Sequence, residues 1–154
     1  MKSVYLAAAF HRQAEMREFA KEIEALGVKV TAQWLTEDPS PTDPIEREKF
    51  LEKTAIMDMD DIERADVLIR FSDDLSHPFV PSDWCTSSRM EESGMATAWG
   101  KQVVVVGGKQ SLFDRLLNRV HIQTKEGLIQ WIKWTRDWEC LSPQEARDAH
   151  DYSY

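Results

Sequence analysis

The amino-acid sequence predicts a three-layer α/β sandwich built around a five-stranded parallel sheet. Apolar runs of strand length alternate with segments of helical period, which is the pattern of a parallel sheet covered by helices. The clearest strand is Gln102–Val106, in which four consecutive valines are followed by Gly107 and Gly108. This alternation continues over residues 4–138, so we expect one sheet in one domain.

Each predicted element has a local signal. The apolar runs predicted as strands are residues 4–9, 28–35, 67–71, 102–106 and 119–123. The segments predicted as helices are residues 12–26, 46–65, 87–99, a short piece at 112–117, and 125–138. Gly27 and Gly100 are stop signals for the first and third helices. Three prolines in 36–44 and two in 72–85 mark these segments as loops.

Five strands joined by crossover helices predict a flavodoxin-like or Rossmann-like sheet. In such sheets ligands bind outside the carboxyl ends of the strands. We expect a single domain over residues 1–140, because a chain of 154 residues is long enough to bury a hydrophobic core. Residues 141–154 are polar and are predicted to form a C-terminal tail.

Composition and charge exclude several classes of protein. Hydrophobic residues make up 42% of the chain and charged residues 30%, as in ordinary globular proteins. The net charge of −8 argues against binding of a nucleic-acid polymer, which requires a basic surface. No segment reaches the roughly 18 consecutive apolar residues of a membrane span, and the N-terminal apolar run is too short for a signal peptide. Cys85 and Cys140 lack metal-site spacing, so a reducing cytoplasm is the expected location.

Motifs for common nucleotide cofactors are missing, so no cofactor is expected. Ala7-Ala8-Ala9-Phe10 occupies the turn after the first strand, where a dinucleotide site would have GxGxxG. The sequence also lacks GxxxxGK[ST], which argues against P-loop phosphoryl transfer. The four histidines show no metal-ligand spacing, and no metal is expected.

Asp58 occupies a helix position where an apolar residue is expected. One stripe of the second predicted helix is formed by Leu51, Thr54, Ala55, Ile62 and Ala65. Asp58 falls in the middle of this stripe, whereas Asp60 and Asp61 fall on the far side or the flank. A carboxylate that faces the core is costly unless it is paired, hydrogen-bonded or reaches a pocket. Asp58 is therefore either a pocket residue or an acid at a mispredicted helix edge.

Glu92 raises the same question on the third predicted helix. It shares a face with Ser88, Met95, Ala96 and Trp99. Close packing against a neighbour is predicted by the small residues Gly94, Ala96 and Ala98. Glu92 lies in the second turn, where the helix dipole favours an ionised carboxylate, the state that a glycosyl nucleophile requires. The alternative is an amphipathic helix whose Glu92 ends in solvent.

Three segments together resemble one protein family. They are YLAAAF at residues 5–10, DMDDIERADV at 58–67, and ESGMATAWGKQV at 92–103. The last segment matches the pattern E-x-G-x-A-x-A-x-G-K-x-V and is the most specific. The chain resembles, over roughly residues 3–135, the nucleoside 2-deoxyribosyltransferase-like family, which includes deoxynucleoside 5′-monophosphate N-glycosidases.

The resemblance implies a catalytic role for both carboxylates. Glu92 would attack the anomeric carbon and form a glycosyl-enzyme, and Asp58 would be the second acid, assisting proton transfer to the leaving nucleobase. Tyr5 and Phe10 would lie at the pocket, with Trp34 a further wall at the end of the second strand. Ordinary core packing is the alternative for these aromatic residues. Asp66 opens a buried strand, and we interpret it as structural.

The segment before Glu92 departs from the family pattern and bears on the substrate. Six residues earlier, transferases that act on free nucleosides tend to have an aspartate and the monophosphate hydrolases a serine, whereas this chain has Thr86. Thr86, Ser87 and Ser88 form a hydroxyl cluster at a helix N-terminus, which can bind an anion, and Arg89 can add a bidentate contact to a phosphate. Ordinary N-capping is the alternative. We favour a 5′-monophosphate substrate.

Several alternatives remain open from the sequence. Base exchange and hydrolysis differ only in what attacks the glycosyl intermediate, and a non-catalytic nucleotide-binding protein would use the same pocket. The two-acid mechanism predicts that the carboxyls of Asp58 and Glu92 share one pocket, about 5–9.5 Å apart. A homo-oligomer is expected, since related enzymes complete each site from a neighbouring subunit and Trp131, Trp134 and Trp138 spread around the last helix.

Overall fold

The computed structural model describes residues 1–72, 86–109, 111–116 and 119–140. The side chains of Thr86, Ser87 and residues 137–140 are outside this description. Trp138 and Cys140 are therefore among the residues whose side chains are not described. The predicted loop after Ser72, with Cys85, and the predicted tail over 141–154 also lie outside the described residues.

A five-stranded parallel sheet with the order β2-β1-β3-β4-β5 forms the centre of the protein. The strands are β1 (Ser3–Ala7), β2 (Lys29–Val30), β3 (Val67–Phe71), β4 (Gln102–Val106) and β5 (Arg119–Ile122). In the parallel register Leu6 pairs with Ile69, and Ile69 pairs with Val104. This strand order is the flavodoxin-like form of a doubly wound sheet, so the predicted fold class is confirmed.

Four helices of the described residues cover the sheet in two layers. They are α1 (Gln13–Ala25), α2 (Pro44–Arg64), α3 (Thr86–Ala98) and α4 (Lys125–Cys140). Lys125 of α4 forms an ion pair with Glu15 of α1, whereas α2 packs against α3. These contacts place α1 and α4 in one layer and α2 and α3 in the other. No helix in the described part of the chain is long and apolar enough to cross a membrane.

The ends of the helices follow local rules of the sequence. The Asp43 carboxylate accepts hydrogen bonds from the backbone nitrogens of Ile45 and Glu46, both at 3.0 Å, so α2 begins at Pro44, two residues earlier than predicted. Gly27 and Gly100 adopt φ angles of +80° and +71°, which glycine tolerates without steric cost. The predicted stops of α1 and α3 are therefore confirmed.

The second strand is much shorter than the predicted 28–35. Only Lys29–Val30 pairs with β1, and Gln33–Thr36 forms a 3₁₀ turn. The buried Asp61 carboxyl accepts hydrogen bonds from the backbone nitrogen (2.6 Å) and the side-chain amide (2.8 Å) of Gln33, and these bonds hold the chain in the turn. Trp34 therefore lies in a turn rather than at the end of a strand, and its indole nitrogen donates to the Leu6 carbonyl (2.8 Å).

The first strand also ends earlier than predicted. β1 stops at Ala7 instead of residue 9, and Phe10–Arg12 forms a 3₁₀ turn before α1. The backbone nitrogen of Arg12 donates to the Ala9 carbonyl (2.8 Å) and closes this turn. As a result, residues 8–10 bend away at the carboxyl end of β1 instead of extending the sheet.

The predicted apolar stripe of α2 is buried only in its C-terminal part. Ile62 and Ala65 are buried, but Leu51 and Ala55 are exposed. A helix of 21 residues is about 31 Å long, whereas a strand of five residues spans about 17 Å. The helix α2 therefore extends beyond the sheet. Asp61, predicted on the far side or the flank, is fully buried, and its carboxyl is bonded to Gln33 and paired with Arg64.

Self-association is expected from apolar side chains that α2 exposes. Ile45, Ile56 and Met59 are 68%, 56% and 44% exposed. Trp134 is also exposed, whereas Trp131 packs partly against the core. We expect at least a dimer by light scattering at micromolar concentration, and Ile56→Glu should shift it towards the monomer because a charge would be buried in the interface. A monomeric wild-type protein would contradict this expectation.

Candidate active site

A pocket of about 170 Å³ lies at the carboxyl end of β1, between α2 and α3. The strand order reverses between β1 and β3, and this switch point is where doubly wound sheets bind ligands. Seven of the nine predicted site residues line the pocket: Tyr5, Phe10, Trp34, Asp58, Ser88, Arg89 and Glu92. The other two, Thr86 and Ser87, begin α3, and their side chains are outside the description.

The Glu92 carboxyl is largely desolvated. The Tyr5 hydroxyl donates to Glu92 Oε1 at 3.5 Å, whereas Oε2 is buried without a hydrogen-bond partner among the described residues. Burial and then the negative charge of Asp58 raise the pKa of Glu92 to about 8, against the opposing charge of Arg89. The sequence predicted an ionised Glu92. The structure instead favours the protonated form at neutral pH, because desolvation outweighs the helix dipole.

Asp58 projects from α2 into the same pocket. Burial is the main cause that raises the pKa of Asp58 to about 7, and the charges of Glu37 and Asp61 act in the same direction. A hydrogen bond with Tyr5 acts in the opposite direction. The misfit of Asp58 in the apolar stripe is thus explained by its position at a pocket.

Tyr5 connects the two carboxyls. Its side chain is fully buried on β1, and its hydroxyl interacts with both Glu92 and Asp58. Burial and the two neighbouring carboxyls raise the pKa of Tyr5 well above its ordinary value. Tyr5 is therefore a neutral hydrogen-bond donor that links the carboxyls of Glu92 and Asp58.

The arrangement can supply an acid and a base at once. Two interacting carboxyls lose their protons in two steps, and between the steps the pair carries one proton and one negative charge. With pKa values of about 7 and about 8, this state occurs near neutral pH. Glycoside cleavage uses one protonated and one ionised carboxyl group that flank the bond to be broken.

The raised pKa of Glu92 predicts that Glu92→Gln stabilises the protein at alkaline pH. Between its ordinary value of 4.5 and about 8, the folded state binds more protons at this position than the unfolded state, so stability falls as the pH rises. Glutamine removes this ionisation. For a domain of this size 1 kcal/mol corresponds to about 2–4 °C, so we expect Tm to increase by several degrees at pH 9 and much less at pH 5. Thermal unfolding of Glu92→Gln and, as a control, of the exposed Glu91→Gln at both pH values measures this; equal effects in the two variants would contradict it.

Two aromatic residues form one wall of the pocket. Phe10 is 47% exposed, and its ring centroid lies 6.4 Å from that of the buried Trp34, with an interplanar angle of 43°. Trp34 is hydrogen-bonded to β1 and belongs to the core. It therefore fits both interpretations from the sequence, since it packs in the core and also lines the pocket. The Phe10 side chain can offer its exposed surface to a planar ligand.

The first turns of α3 place one hydroxyl and one cation at the pocket. Ser88 is exposed there. Arg89 is buried, and its Nη1 donates to the Phe71 carbonyl at 3.0 Å. Its positive charge lowers the pKa of Glu92, which opposes the effect of burial. Arg89 thus has a structural and an electrostatic role in addition to its predicted position beside the ligand.

The small residues of α3 pack differently from the prediction. Ala96 is fully buried, but Gly94 and Ala98 are exposed, as is Trp99. A Cβ atom added at Gly94 would meet no atom within 4 Å. The expected close packing is therefore wrong for Gly94 and Ala98, because this side of the helix borders open space.

Two polar residues of the pocket were missed by the sequence analysis. Glu37 lines the pocket from the proline-rich loop, and Thr54 lines it one helical turn before Asp58. The Thr54 hydroxyl donates to Glu37 Oε1 at 3.1 Å. The spacing of Thr54 from Asp58 was an available signal, whereas nothing in the loop marked Glu37. Asp66, interpreted as structural, accepts backbone hydrogen bonds from Lys2 and Ser3.

Within the described ranges, no cluster of three or more histidine, cysteine or acidic side chains is suited to a metal ion.

Comparison with known proteins finds solved structures of the same fold. No family model and no curated protein match the chain. The structure of the CMP N-glycosidase BcmB from Clostridium botulinum is similar, with 19% sequence identity and a TM-score of 0.55, and the alignment covers 86% of this chain and 99% of that chain. The two proteins share one fold. This likeness independently supports the α/β architecture that the sequence predicted.

Proposed function

We propose that this protein cleaves the N-glycosidic bond of a nucleoside 5′-monophosphate through a covalent glycosyl-Glu92 intermediate. The observation that carries the proposal is the pair of desolvated carboxyls, Glu92 and Asp58, that face one pocket and share the buried hydroxyl of Tyr5. Family resemblance in the sequence and the fold likeness to an N-glycosidase both support it.

In the first step, a carboxylate oxygen of Glu92 forms a bond to the anomeric carbon, and the bond between that carbon and the base nitrogen breaks. The unpaired Oε2 atom is suited to this attack because no hydrogen bond to a described residue has to be broken first. The reacting form is the less populated of the two forms that carry a single proton, because the pKa of Glu92 is about 8 and that of Asp58 about 7. In this form Asp58 transfers its proton to the departing base, so the base leaves without a negative charge.

In the second step, the ionised Asp58 removes a proton from a water molecule, whose oxygen attacks the same carbon. The bond to Glu92 breaks, the carboxylate is regenerated, and the sugar leaves with its original anomeric configuration. The likeness to a CMP N-glycosidase supports water as the acceptor, and base exchange remains the alternative for this step.

The size of the pocket indicates which part of the substrate it would enclose. Small-molecule sites usually measure about 300–1,000 Å³, whereas this pocket measures about 170 Å³. It therefore suits a pentose, and the base and the 5′ group would lie at its mouth. Phe10 is exposed there for stacking on the base, and Ser88 at the start of α3 is placed for the 5′ group.

A preference for the phosphorylated substrate is the expected result of a substrate panel. Free base is measured by chromatography for nucleosides and their 5′-monophosphates, with and without a second base. We expect base release without exchange and a kcat/KM that is higher for the monophosphate, because the N-terminus of α3 stabilises an anion. A ratio at or below one, or base exchange in place of hydrolysis, contradicts the corresponding part of the proposal.

A matched pair of variants tests the position of the phosphate. Ser88→Ala should lower the monophosphate preference, while Thr42→Ala, which removes an exposed hydroxyl before the start of α2, should not. Arg89 is less useful for this purpose, since its side chain is buried and bonded to Phe71. An unchanged preference in Ser88→Ala would place the phosphate elsewhere.

A further inference from the structure

A second cavity lies on the opposite side of α3 from the Glu92 pocket. It measures about 660 Å³ and is bordered by α3, the 3₁₀ turn at Leu112–Arg115, and the strands β3 and β5. Much of its wall is apolar and consists of Met90, Gly94, Ala98, Phe113 and Leu116. Its volume is in the range of about 300–1,000 Å³ that is usual for small-molecule sites.

Arg70 places an incompletely bonded cation at this cavity. The side chain is 1% exposed, and Nη2 donates to Asp114 Oδ2 at 2.5 Å. Nη1 meets the thioether sulfur of Met90, which is a weak acceptor. Nε is buried and has no hydrogen-bond partner among the described residues. A buried guanidinium normally uses all its donors, so an acceptor is expected here.

Arg119 adds a second guanidinium beside the first. Its Nη2 donates to the Thr97 hydroxyl at 2.7 Å, while Nε and Nη1 are buried without partners in the described part of the chain. Burial and the positive charge of Arg70 lower the pKa of Arg119, against the effect of Asp114. The only other acid that lines the cavity among these residues is Glu91, which is exposed to solvent that screens its charge.

We infer that this cavity binds an organic carboxylate with an aryl or alkyl body. The carboxylate would accept hydrogen bonds from the unsatisfied donors of Arg70 and Arg119, and the apolar body would cover Gly94, Phe113 and Leu116. Rotation of the Arg119 side chain, which is held by one neutral hydroxyl, brings its donors to the ligand. Planar guanidinium groups match a carboxylate in geometry and charge.

The test uses 4-phenylbutyrate as the probe, with the full chain and titration calorimetry. We expect saturable binding, and binding of the neutral 4-phenylbutyramide should be at least about tenfold weaker, because charge-assisted hydrogen bonds to arginine are lost. Sodium chloride at the same ionic strength should not compete fully, since chloride has no apolar body. Absence of binding at millimolar probe, or equal binding of the amide, overturns the inference.

Variants locate the site without disturbing the fold. Arg119→Met should weaken probe binding at least about tenfold, whereas Arg115→Met, on the exposed side of the neighbouring turn, should not. Gly94→Leu should also block binding, since open space lies in front of this glycine. Glu92→Ala should bind the probe normally, which keeps this test independent of the proposed function. Unchanged affinity in both Arg119→Met and Gly94→Leu overturns the inference.

Discussion

Replacing Glu92 by alanine is expected to abolish base release and to leave the fold intact. Loss of a covalent nucleophile lowers the rate by several orders of magnitude, since the split of one difficult step into two easier ones is lost. The fold should persist because Oε2 has no partner among the described residues, and Oε1 accepts one long hydrogen bond from Tyr5. The measurement is kcat/KM for base release, together with circular dichroism and Tm.

The neighbouring glutamate provides a matched control for Glu92. Glu91 is exposed, borders the other side of α3 and should tolerate Glu91→Ala with activity close to that of the wild type. Intact-mass spectrometry of acid-quenched reactions should detect a pentosyl-phosphate adduct on the wild type and none on Glu92→Ala. If Glu92→Ala kept even a tenth of the wild-type turnover, the nucleophile would have to be another residue, with Asp58 and Glu91 the next candidates.

Asp58→Asn is expected to lower kcat by about 10²–10⁴, the usual contribution of a general acid. For the wild type we expect a bell-shaped dependence of kcat/KM on pH, with its maximum near pH 7–8, because activity requires one proton on the carboxyl pair. Below the maximum Glu92 is protonated and cannot attack. Above it Asp58 has lost the proton that the leaving base needs.

The pH profile of Asp58→Asn distinguishes an acid from a residue that only supports the pocket. Asparagine is uncharged, like the protonated Asp58 of the reacting form, so the acidic limb, which requires ionisation of Glu92, should remain. The basic limb should disappear, because asparagine has no proton to lose. Glu37→Gln is the companion variant: it removes a charge that raises the pKa of Asp58, so it should lower the rate on the basic side of the profile, where Asp58 must be protonated, and leave the rate on the acidic side unchanged. A lower but unshifted bell in Asp58→Asn would mean that Asp58 is not the acid.

Fold class could be predicted from the sequence because its signals are local. The valine run of β4 and the glycine stops at Gly27 and Gly100 act through a few neighbouring residues, and the structure agrees with them. The same holds for Asp58 and Glu92, which stood out because each carboxylate falls on a helix face where the period expects an apolar side chain. Periodicity raised these two residues as candidates, the family resemblance selected them, and both line one pocket.

The errors arose where a distant residue decides the local structure. The chain over 28–35 has the composition of a strand, but the Asp61 carboxyl, about thirty residues away, bonds to Gln33 and turns it. Asp61 was assigned to the flank for the same reason, since helical phase does not reveal a polar partner from another segment. Leu51 was placed in the core because the period does not tell how far a sheet extends beneath a helix.

The sequence by itself therefore determined the architecture and the two candidate acids, whereas only the tertiary structure decided their chemical state. Desolvation by surrounding elements, the bridging hydroxyl of Tyr5 and the charge of Arg89 set the pKa values of Asp58 and Glu92. Glu37 entered the pocket from a loop without any local mark. Periodicity is a property of neighbouring residues, but an electrostatic environment depends on every group within several ångströms, and those groups come from β1, α2 and α3 only once the chain has folded.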